Sequence, residues 1–252
     1  MNAQVYHDAA TWQSADGQVN VAYSYAYQPI VHASSGEVVS YEALLRGSHE
    51  ESAFTTLAQI PTTDLHRFDQ ESRLYAISLA ARLGIHRCLN LNVMPQSLFA
   101  SKKVIQETMA VATDYHLPPE RVILELLEGE VIHDAMAIAN LLTEFRSLGG
   151  RVAIDDFGAG YSGLNLLADF QPDFIKIDRN LIHAIEGNGP RQAIVRAIVQ
   201  VCSDLGIDII AEGIETPAEF RWLREEHIQL FQGYYLAKPA FERLPIGLFS
   251  RE

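Results

Sequence analysis

Short apolar runs alternate along the chain with longer segments that have helical periodicity. Between two of the runs, Ile138, Leu141, Leu142 and Phe145 fall at positions i, i+3, i+4 and i+7, which places them on one face of a helix. A similar stripe from Ile194 to Leu205 indicates another helix. The runs predicted to form strands are residues 23–31, 37–45, 88–93, 121–126, 151–155, 173–177, 207–211 and 229–234. This alternation predicts a parallel sheet covered by helices.

The first connection departs from that pattern. Only residues 33–36 separate the first two predicted strands, whereas a parallel crossover needs about a dozen residues or more. We therefore predict an α/β fold, a TIM-like (β/α)8 barrel with its first strand antiparallel to the rest. An open, doubly wound sheet is the alternative. Residues 1–20 are polar and are predicted to form a loosely held lead-in, so the barrel would span residues 21–252.

Several of the predicted strands end in residues that carry oxygen ligands. In parallel barrels the carboxyl ends of the strands meet at one face, so residues far apart in sequence converge there. These residues are Glu42, Asn92, Glu125, Asp155, Asp156, Asp178, Glu212 and Gln232. Carboxylates crowded at one opening repel each other unless cations lie among them. An all-oxygen set without Cys or His suits Mg²⁺ or Mn²⁺.

Each of these residues also has a simpler explanation. An acid after a strand is a common helix N-cap or turn residue. Lys176 lies within an apolar strand, where it either extends to the sheet edge or faces the carboxylates. Arg46 either clamps a phosphate or forms a surface salt bridge. Asp155 and Asp156 can both face the opening only if the chain leaves the strand between them, a turn for which residues 158–160 are suited.

Composition limits the partners. A net charge of −13 makes an extended nucleic acid an unfavourable ligand, although a small anion remains allowed where metal ions offset the local charge. Cys88 and Cys202 are far apart in apolar runs and are predicted to be buried free thiols in a reducing compartment. The start of the chain lacks a signal-peptide pattern, and no run is long enough to span a membrane. We predict a cytoplasmic protein.

The order of the motifs resembles the EAL-domain cyclic-di-GMP phosphodiesterases. Glu42-Ala43-Leu44-Leu45-Arg46 is similar to the motif that names the family, although three letters alone carry little weight. The resemblance covers about residues 23–240. The other motifs are Tyr27-Gln28-Pro29, Asn92-Val93-Met94-Pro95, Glu125-Leu126-Leu127-Glu128, the run 155–162 from Asp155 to Ser162, Lys176-Ile177-Asp178, Ala211-Glu212-Gly213-Ile214-Glu215 and Gln232-Gly233-Tyr234. Met94 and Leu127 stand where the family usually has Ser and Thr.

The resemblance implies hydrolysis of one phosphodiester bond of cyclic di-GMP to linear pGpG by a water activated between two Mg²⁺ or Mn²⁺ ions, with Ca²⁺ inhibitory. By position, one metal would be held by Glu42, Asn92, Glu125 and Asp155. Asp155 would bridge to a second metal, which Asp156 would also hold. Lys176 and Glu212 resemble the residues that position and deprotonate the water, and Gln232 resembles their partner.

The remaining matched positions have supporting roles by the same resemblance. Arg46 and Gln28 would bind substrate. Glu128 would tether the loop 156–162, with Glu215 and Asp178 as further supports. A homodimer is also implied, with cyclic di-GMP rather than a nucleic-acid polymer as the partner.

Two other functions stay open at this point. A non-enzymatic receptor could bind cyclic di-GMP and signal through a protein partner, but the complete set of acids argues against it. A different metal-dependent barrel enzyme, such as a lyase that uses Lys176 as a base on an enolate, is disfavoured by Gln232-Gly233 together with the run 155–162.

Overall fold

Ten strands and nine helices form the regular structure of the described residues, 9–100, 103–128, 135–159 and 163–246, in this computed structural model. The strands are β1 Ala10–Gln13, β2 Asn20–His32, β3 Val38–Gly47, β4 Cys88–Asn92, β5 Val122–Leu127, β6 Arg151–Phe157, β7 Phe174–Ile177, β8 Asp208–Ala211, β9 Leu230–Phe231 and β10 Ala240–Phe241. The helices are α1 Ala53–Leu57, α2 Leu65–Arg82, α3 Pro95–Ala100, α4 Val104–Asp114, α5 Ala135–Ser147, α6 Gly163–Asp169, α7 Arg179–Ile182, α8 Gly189–Leu205 and α9 Pro217–Glu225.

Eight strands, β2 to β9, close into a barrel. They pair in chain order, and β9 returns to pair with β2. Strands β3 to β9 are parallel, whereas β2 is antiparallel to both of its barrel neighbours. The predicted TIM-like barrel with a reversed first strand is confirmed, and the open sheet is excluded.

The long strand β2 extends beyond the barrel and has further partners. Its edge opposite β3 pairs with β1 near Tyr23 and with β10 at Ala26 and Tyr27. In β1, Trp12 is buried, and its ring lies edge-on to Phe68 at 5.7 Å. The prediction of a loosely held lead-in is therefore wrong for Ala10–Gln13, because burial of an indole ring holds this segment against the barrel.

The helices cover the barrel through apolar stripes. In α5, Ile138, Leu142 and Phe145 are buried as predicted. In α8, Ile198 is buried as predicted, together with Val195 and Cys202, whereas Ile194, also predicted on this face, is half exposed. Within the described residues, no helix combines the length and the hydrophobicity needed to cross a bilayer.

Layers of side chains fill the barrel. An apolar layer consists of Ile30, Ile123, Ala153, Phe174 and Ile210. Strand side chains alternate between faces, so the residue two positions nearer the mouth also points inward. For β5 to β8 those residues are Glu125, Asp155, Lys176 and Glu212. Strand β2 runs in the opposite direction, so its inward-facing residue nearer the mouth precedes Ile30 by two positions and is Gln28. The strand period thus places a polar layer directly above the apolar one.

Candidate functional site

Lys176 lies at the centre of the polar layer. Its side chain is fully buried, and its Nζ contacts carboxylate oxygens from four different strands or strand ends. The partners are Glu42 at 3.2 Å, Glu125 at 3.1 Å, Asp155 at 3.1 Å and Glu212 at 2.5 Å. Lys176 therefore does not extend to the sheet edge.

The carboxylates form two groups that share Asp155. Glu42 and Glu125 with Asp155 make one group, and Asp156 and Glu212 with Asp155 make the other. Within each group, one oxygen of each residue lies within 4.8 Å of the others. Glu212, which was predicted to act on the attacking water, thus also lies within reach of a cation held by Asp155 and Asp156.

Asp155 and Asp156 both belong to β6, and a local irregularity brings both to the mouth. The pairing of β6 with β7 shifts register between Ile154 and Phe157. Asp156 has a φ of 54°, in the left-handed region that Asp tolerates better than most residues. The chain thus leaves the regular strand at Asp156 itself, before the glycines from which the turn was predicted.

Burial and the repulsion between the acids shift the pKa values of this cluster. Burial raises the pKa of Glu125 and of Glu212 well above its ordinary value, with repulsion between the acids adding to it. Burial and the Asp155 charge raise the pKa of Asp156 to about 6. Burial alone would lower the pKa of Lys176, but the surrounding carboxylates hold it well above its usual value. One ammonium leaves most of the acidic charge uncompensated, so divalent cations fit this oxygen-rich donor set.

Amide side chains hold Glu42 in place from two sides. Gln232 donates from Nε2 to Glu42 Oε2 at 2.7 Å, and Asn92 donates from Nδ2 to Glu42 Oε1 at 3.0 Å. The Oε1 of Gln232 is buried and has no hydrogen-bond partner among the described residues. Gln232 lines the cavity that contains Lys176 and Glu212, so a water or a ligand there is a candidate donor to this oxygen.

Gln28, which was predicted to bind substrate, lines the cavity that contains Lys176 and Glu212 and makes two hydrogen bonds within the protein. Its Nε2 donates to the backbone oxygen of Ala237 at 3.1 Å, and its Oε1 accepts from Gln232 at 3.3 Å. Both ends of its amide are engaged within the protein, because β2 pairs Gln28 opposite Glu42 and close to β9. Gln28 thus contacts Gln232 directly, and its role in substrate binding stays a prediction.

A buried pair below the carboxylates was not identified from the sequence. Asn90 donates from Nδ2 to Glu125 Oε1 at 2.7 Å, and its Oδ1 accepts from the Ser40 hydroxyl at 2.5 Å. Both residues point inward, two positions before Asn92 and Glu42 on the same strands. An asparagine in the middle of an apolar strand was the pattern that could have revealed this support for Glu125.

The residues predicted to support the loop after β6 make backbone contacts. Glu128 Oε2 accepts from the Gly158 N–H at 2.9 Å. The Asp178 N–H donates to the Phe157 oxygen at 3.1 Å, and the Asp178 side chain caps α7 by accepting from Asn180. The predicted far end of this loop, residues 160–162, lies outside the described residues. Within the described part, Glu128 and Asp178 hold the chain that follows Asp155 and Asp156.

The loop after β8 has its own clamp. Glu215 forms a two-point salt bridge with Arg179, with N–O distances of 3.1 and 2.9 Å. Glu219 is buried and accepts the N–H groups of Ala184, Glu215 and Thr216. The sequence Thr216-x-x-Glu219 is a capping box, which could have been recognised at the start of α9. The clamp fixes the segment that follows Glu212.

Two cavities meet at Glu42. One, of about 360 Å³, lies between β3, β4 and α2 and is largely apolar, with Arg46, Asp69 and Arg73 among its lining residues. The other, of about 290 Å³, contains Asp155, Lys176 and Glu212. Asn92 and Glu125 line the first, and Gln232 lines the second. A ligand across the mouth can therefore occupy both sides of Glu42.

Relatives share the sequence motifs and the fold. The protein is 33% identical over 222 residues to the "Blue light- and temperature-regulated antirepressor BluF" of Escherichia coli, covering 88% of this chain and 55% of that protein. It is 31% identical to the "Probable cyclic di-GMP phosphodiesterase PdeN" of the same organism, covering 90% of this chain and 44% of that protein. The chain thus spans about half the length of the curated relatives it matches.

A solved structure has the same fold. The manganese and cyclic di-GMP complex of Klebsiella pneumoniae BlrP1 at pH 6 has a TM-score of 0.86 and 39% identity, covering 94% of this chain and 59% of that one. The family model of the EAL domain matches residues 16–239. With most of the chain matched and the motif residues gathered at the barrel mouth, the protein belongs to the EAL domain family.

Proposed function

We propose that this protein hydrolyses cyclic di-GMP to linear pGpG with a water activated at the Lys176 cluster. The observation that carries the proposal is the pair of carboxylate groups sharing Asp155 around a buried lysine. The cyclic di-GMP and manganese bound by BlrP1, and the activity named for PdeN, support the same substrate and metal class here.

The site residues have distinct tasks in this proposal. Glu42, Asn92, Glu125 and Asp155 would hold one divalent ion, and Asp155 and Asp156 would hold a second. Such ions would lower the pKa of a bound water and neutralise the negative charge that develops on the phosphate oxygens. Asn90, through its bond to Glu125, fixes the direction in which that carboxylate points.

Glu212 and Lys176 act on the water. The Lys176 ammonium lies 2.5 Å from Glu212 Oε1, where it opposes the rise in pKa caused by burial and orients the carboxylate before attack. The water oxygen bonds to phosphorus and its proton goes to Glu212, whose pKa burial raises above the ordinary value, which favours proton uptake. The bond from phosphorus to the 3′ oxygen breaks, and that oxygen takes a proton from solvent. The product carries the 5′ phosphate of pGpG.

A turnover assay tests the proposal. Purified protein is incubated with cyclic di-GMP and Mn²⁺ or Mg²⁺, and the nucleotides are separated by chromatography. The expected result is pGpG that accumulates with time and is suppressed by EDTA. Loss of cyclic di-GMP without pGpG, or no product with either metal, would contradict the proposal.

The second candidate function is a cyclic-di-GMP receptor without turnover. It is favoured by one finding, the name of BluF as an antirepressor. Calorimetry together with chromatography distinguishes the two functions. A receptor binds cyclic di-GMP in the calorimeter, and chromatography shows that the nucleotide is unchanged after hours in Mn²⁺.

Calcium is expected to inhibit the reaction. Ca²⁺ is larger than Mg²⁺ or Mn²⁺ and prefers more ligands at longer distances, so it competes for the carboxylates without supporting the attack. Adding Ca²⁺ in about tenfold excess over Mn²⁺ should lower the rate several-fold, measured as pGpG formed per minute. An unchanged rate, with Ba²⁺ as the control for ionic strength, would refute this expectation.

Glu128 is expected to support turnover by holding the loop after β6. Glu128→Ala removes the acceptor of the Gly158 N–H, which loosens the chain that follows Asp156. We expect kcat to fall about 10- to 100-fold, in line with the loss of an outer support of a metal site, and the Mn²⁺ concentration at half-maximal rate to rise. Glu120→Ala, which removes an exposed carboxylate at the opposite end of the barrel, is the control. Equal kinetics for the two variants would exclude the support role.

The assembly and location are also proposals. We propose a homodimer, which sedimentation analysis can test, and a cytoplasmic location. We also propose that no nucleic-acid polymer binds, which follows from the net charge of −13.

A further inference from the structure

The proposed substrate poses a question of charge. Cyclic di-GMP has two phosphodiester groups, and the carboxylate-bound metals can serve only the one that is cleaved. The other group carries one negative charge and must lie near a mouth that is already rich in acids. This inference rests on the proposed function, because it concerns how the same site holds that second phosphate.

Most cations around the mouth already have carboxylate partners. Lys176 is surrounded by acids. Arg73 is buried and lies 2.8 Å from Asp69, and Arg179 is bound at two points by Glu215. None of these three is free to take a phosphate without losing an ion pair.

Arg46 and Lys238 are different. The Arg46 guanidinium donates to its own neighbour, the Leu45 oxygen, at 2.7 Å, and Lys238 Nζ lies 5.5 Å from the centre of the Tyr234 ring. Among the residues that the structure describes, neither has a carboxylate oxygen within 4.0 Å of its side-chain nitrogens. These two cations have charge available for a ligand.

Both cations line one small cavity on the rim. It has a volume of about 220 Å³, and its walls are Ala26, Arg46, Glu50, Tyr234, Lys238, Pro239 and Phe241. Two cations and the one acid, Glu50, leave a charge of about +1, which matches a single phosphodiester. Both side chains can adjust to a phosphate. The planar guanidinium of the arginine can donate two parallel hydrogen bonds, and the ammonium of the lysine can rotate.

The rim cavity adjoins the candidate active site. Arg46 also lines the larger cavity beside Glu42, and Tyr234 also lines the cavity that contains Lys176 and Glu212. The segment that carries Lys238 is fixed on both sides, by the bond from Gln28 to the Ala237 oxygen and by the pairing of β10 with β2. The position of Lys238 relative to the carboxylates is therefore set by the barrel.

We propose that Lys238 binds the phosphodiester of cyclic di-GMP that is not cleaved, beside Arg46, which was already predicted from the sequence to bind substrate. The Tyr234 ring holds the lysine ammonium by a cation–π contact, so that its N–H groups remain available to the ligand. Lys238 is a binding residue in this assignment and takes no part in bond breaking.

Binding of cyclic di-GMP in EDTA-containing buffer at low salt tests the proposal without depending on turnover. Isothermal titration calorimetry compares the wild-type protein with Lys238→Gln, Lys238→Arg and the control Arg121→Gln. Arg121 is exposed and lies just before β5, at the opposite end of the barrel, so its replacement removes the same charge away from the mouth.

We expect Lys238→Gln to raise the Kd about 5- to 20-fold, the usual cost of losing a charge-assisted bond at a partly exposed site. Lys238→Arg and Arg121→Gln should stay within about twofold of the wild type. A Kd for Lys238→Gln within twofold of the wild type, or an equal loss in Arg121→Gln, would overturn the assignment. Wild-type protein that binds in EDTA but forms no pGpG in the turnover assay with Mn²⁺ refutes the proposed hydrolysis, while the Kd comparison still decides the phosphate site. Wild-type protein that does not bind in EDTA overturns the assignment of Lys238, while the turnover assay still decides hydrolysis.

Discussion

Replacing Glu42 with glutamine is expected to lower kcat by at least about a thousandfold. Its two oxygens face Asn92, Lys176 and Gln232, all of which donate to it. The glutamine amide has one acceptor oxygen and one NH₂ donor group. Its NH₂ group therefore faces at least one of these three donors, and the amide binds a divalent ion more weakly than the carboxylate does. A loss of about 4 kcal/mol of transition-state stabilisation corresponds to that factor.

The test is steady-state kinetics of pGpG formation at saturating Mn²⁺, with circular dichroism to confirm folding. Glu37→Gln is a matched control, because Glu37 is an exposed acid in the turn between β2 and β3, at the end of the barrel away from the carboxylates. Turnover of the Glu42 variant within tenfold of the wild type would mean that Glu42 does not hold the metal.

Replacing Lys176 with methionine is expected to remove turnover and, without metal, to destabilise the fold. The variant keeps the four carboxylates but loses the ammonium they share. Breaking a buried ion pair on one side costs about 3–5 kcal/mol, or roughly 10 °C in Tm for a chain of this size. Mn²⁺ supplies positive charge to the same oxygens, so it should raise the Tm of the variant more than that of the wild type.

Thermal unfolding with EDTA and with Mn²⁺ measures this difference. Arg67→Met, which removes a surface cation that lies over Trp12, is the control, and Mn²⁺ should shift its Tm as much as that of the wild type. An equal Mn²⁺ shift for the Lys176 variant and the wild type would show that the lysine and the metal do not share these carboxylates.

The polar layer was predictable from the sequence because strands fix the direction of side chains. Glu125, Asp155, Lys176 and Glu212 follow inward-facing apolar residues at a spacing of two, so they share a face once the strands are placed. The hairpin between β2 and β3 followed from its short connection, which a parallel crossover cannot make.

Other features depend on contacts that local patterns do not contain. Trp12 packs against Phe68, a residue 56 positions further along the chain, so a polar segment becomes a strand through tertiary burial. The hydrogen-bond partners of Gln28 are Ala237 and Gln232, more than 200 positions away. The left-handed backbone at Asp156 depends on the register shift between β6 and β7. Propensity and spacing cannot predict such long-range pairings.

Hydrolysis of cyclic di-GMP in water enriched in ¹⁸O tests whether a water oxygen attacks phosphorus at the Asp155 and Lys176 cluster. We expect pGpG whose terminal 5′ phosphate carries one ¹⁸O atom, detected by mass spectrometry. No pGpG after prolonged incubation with Mn²⁺, or pGpG without the label, would contradict it.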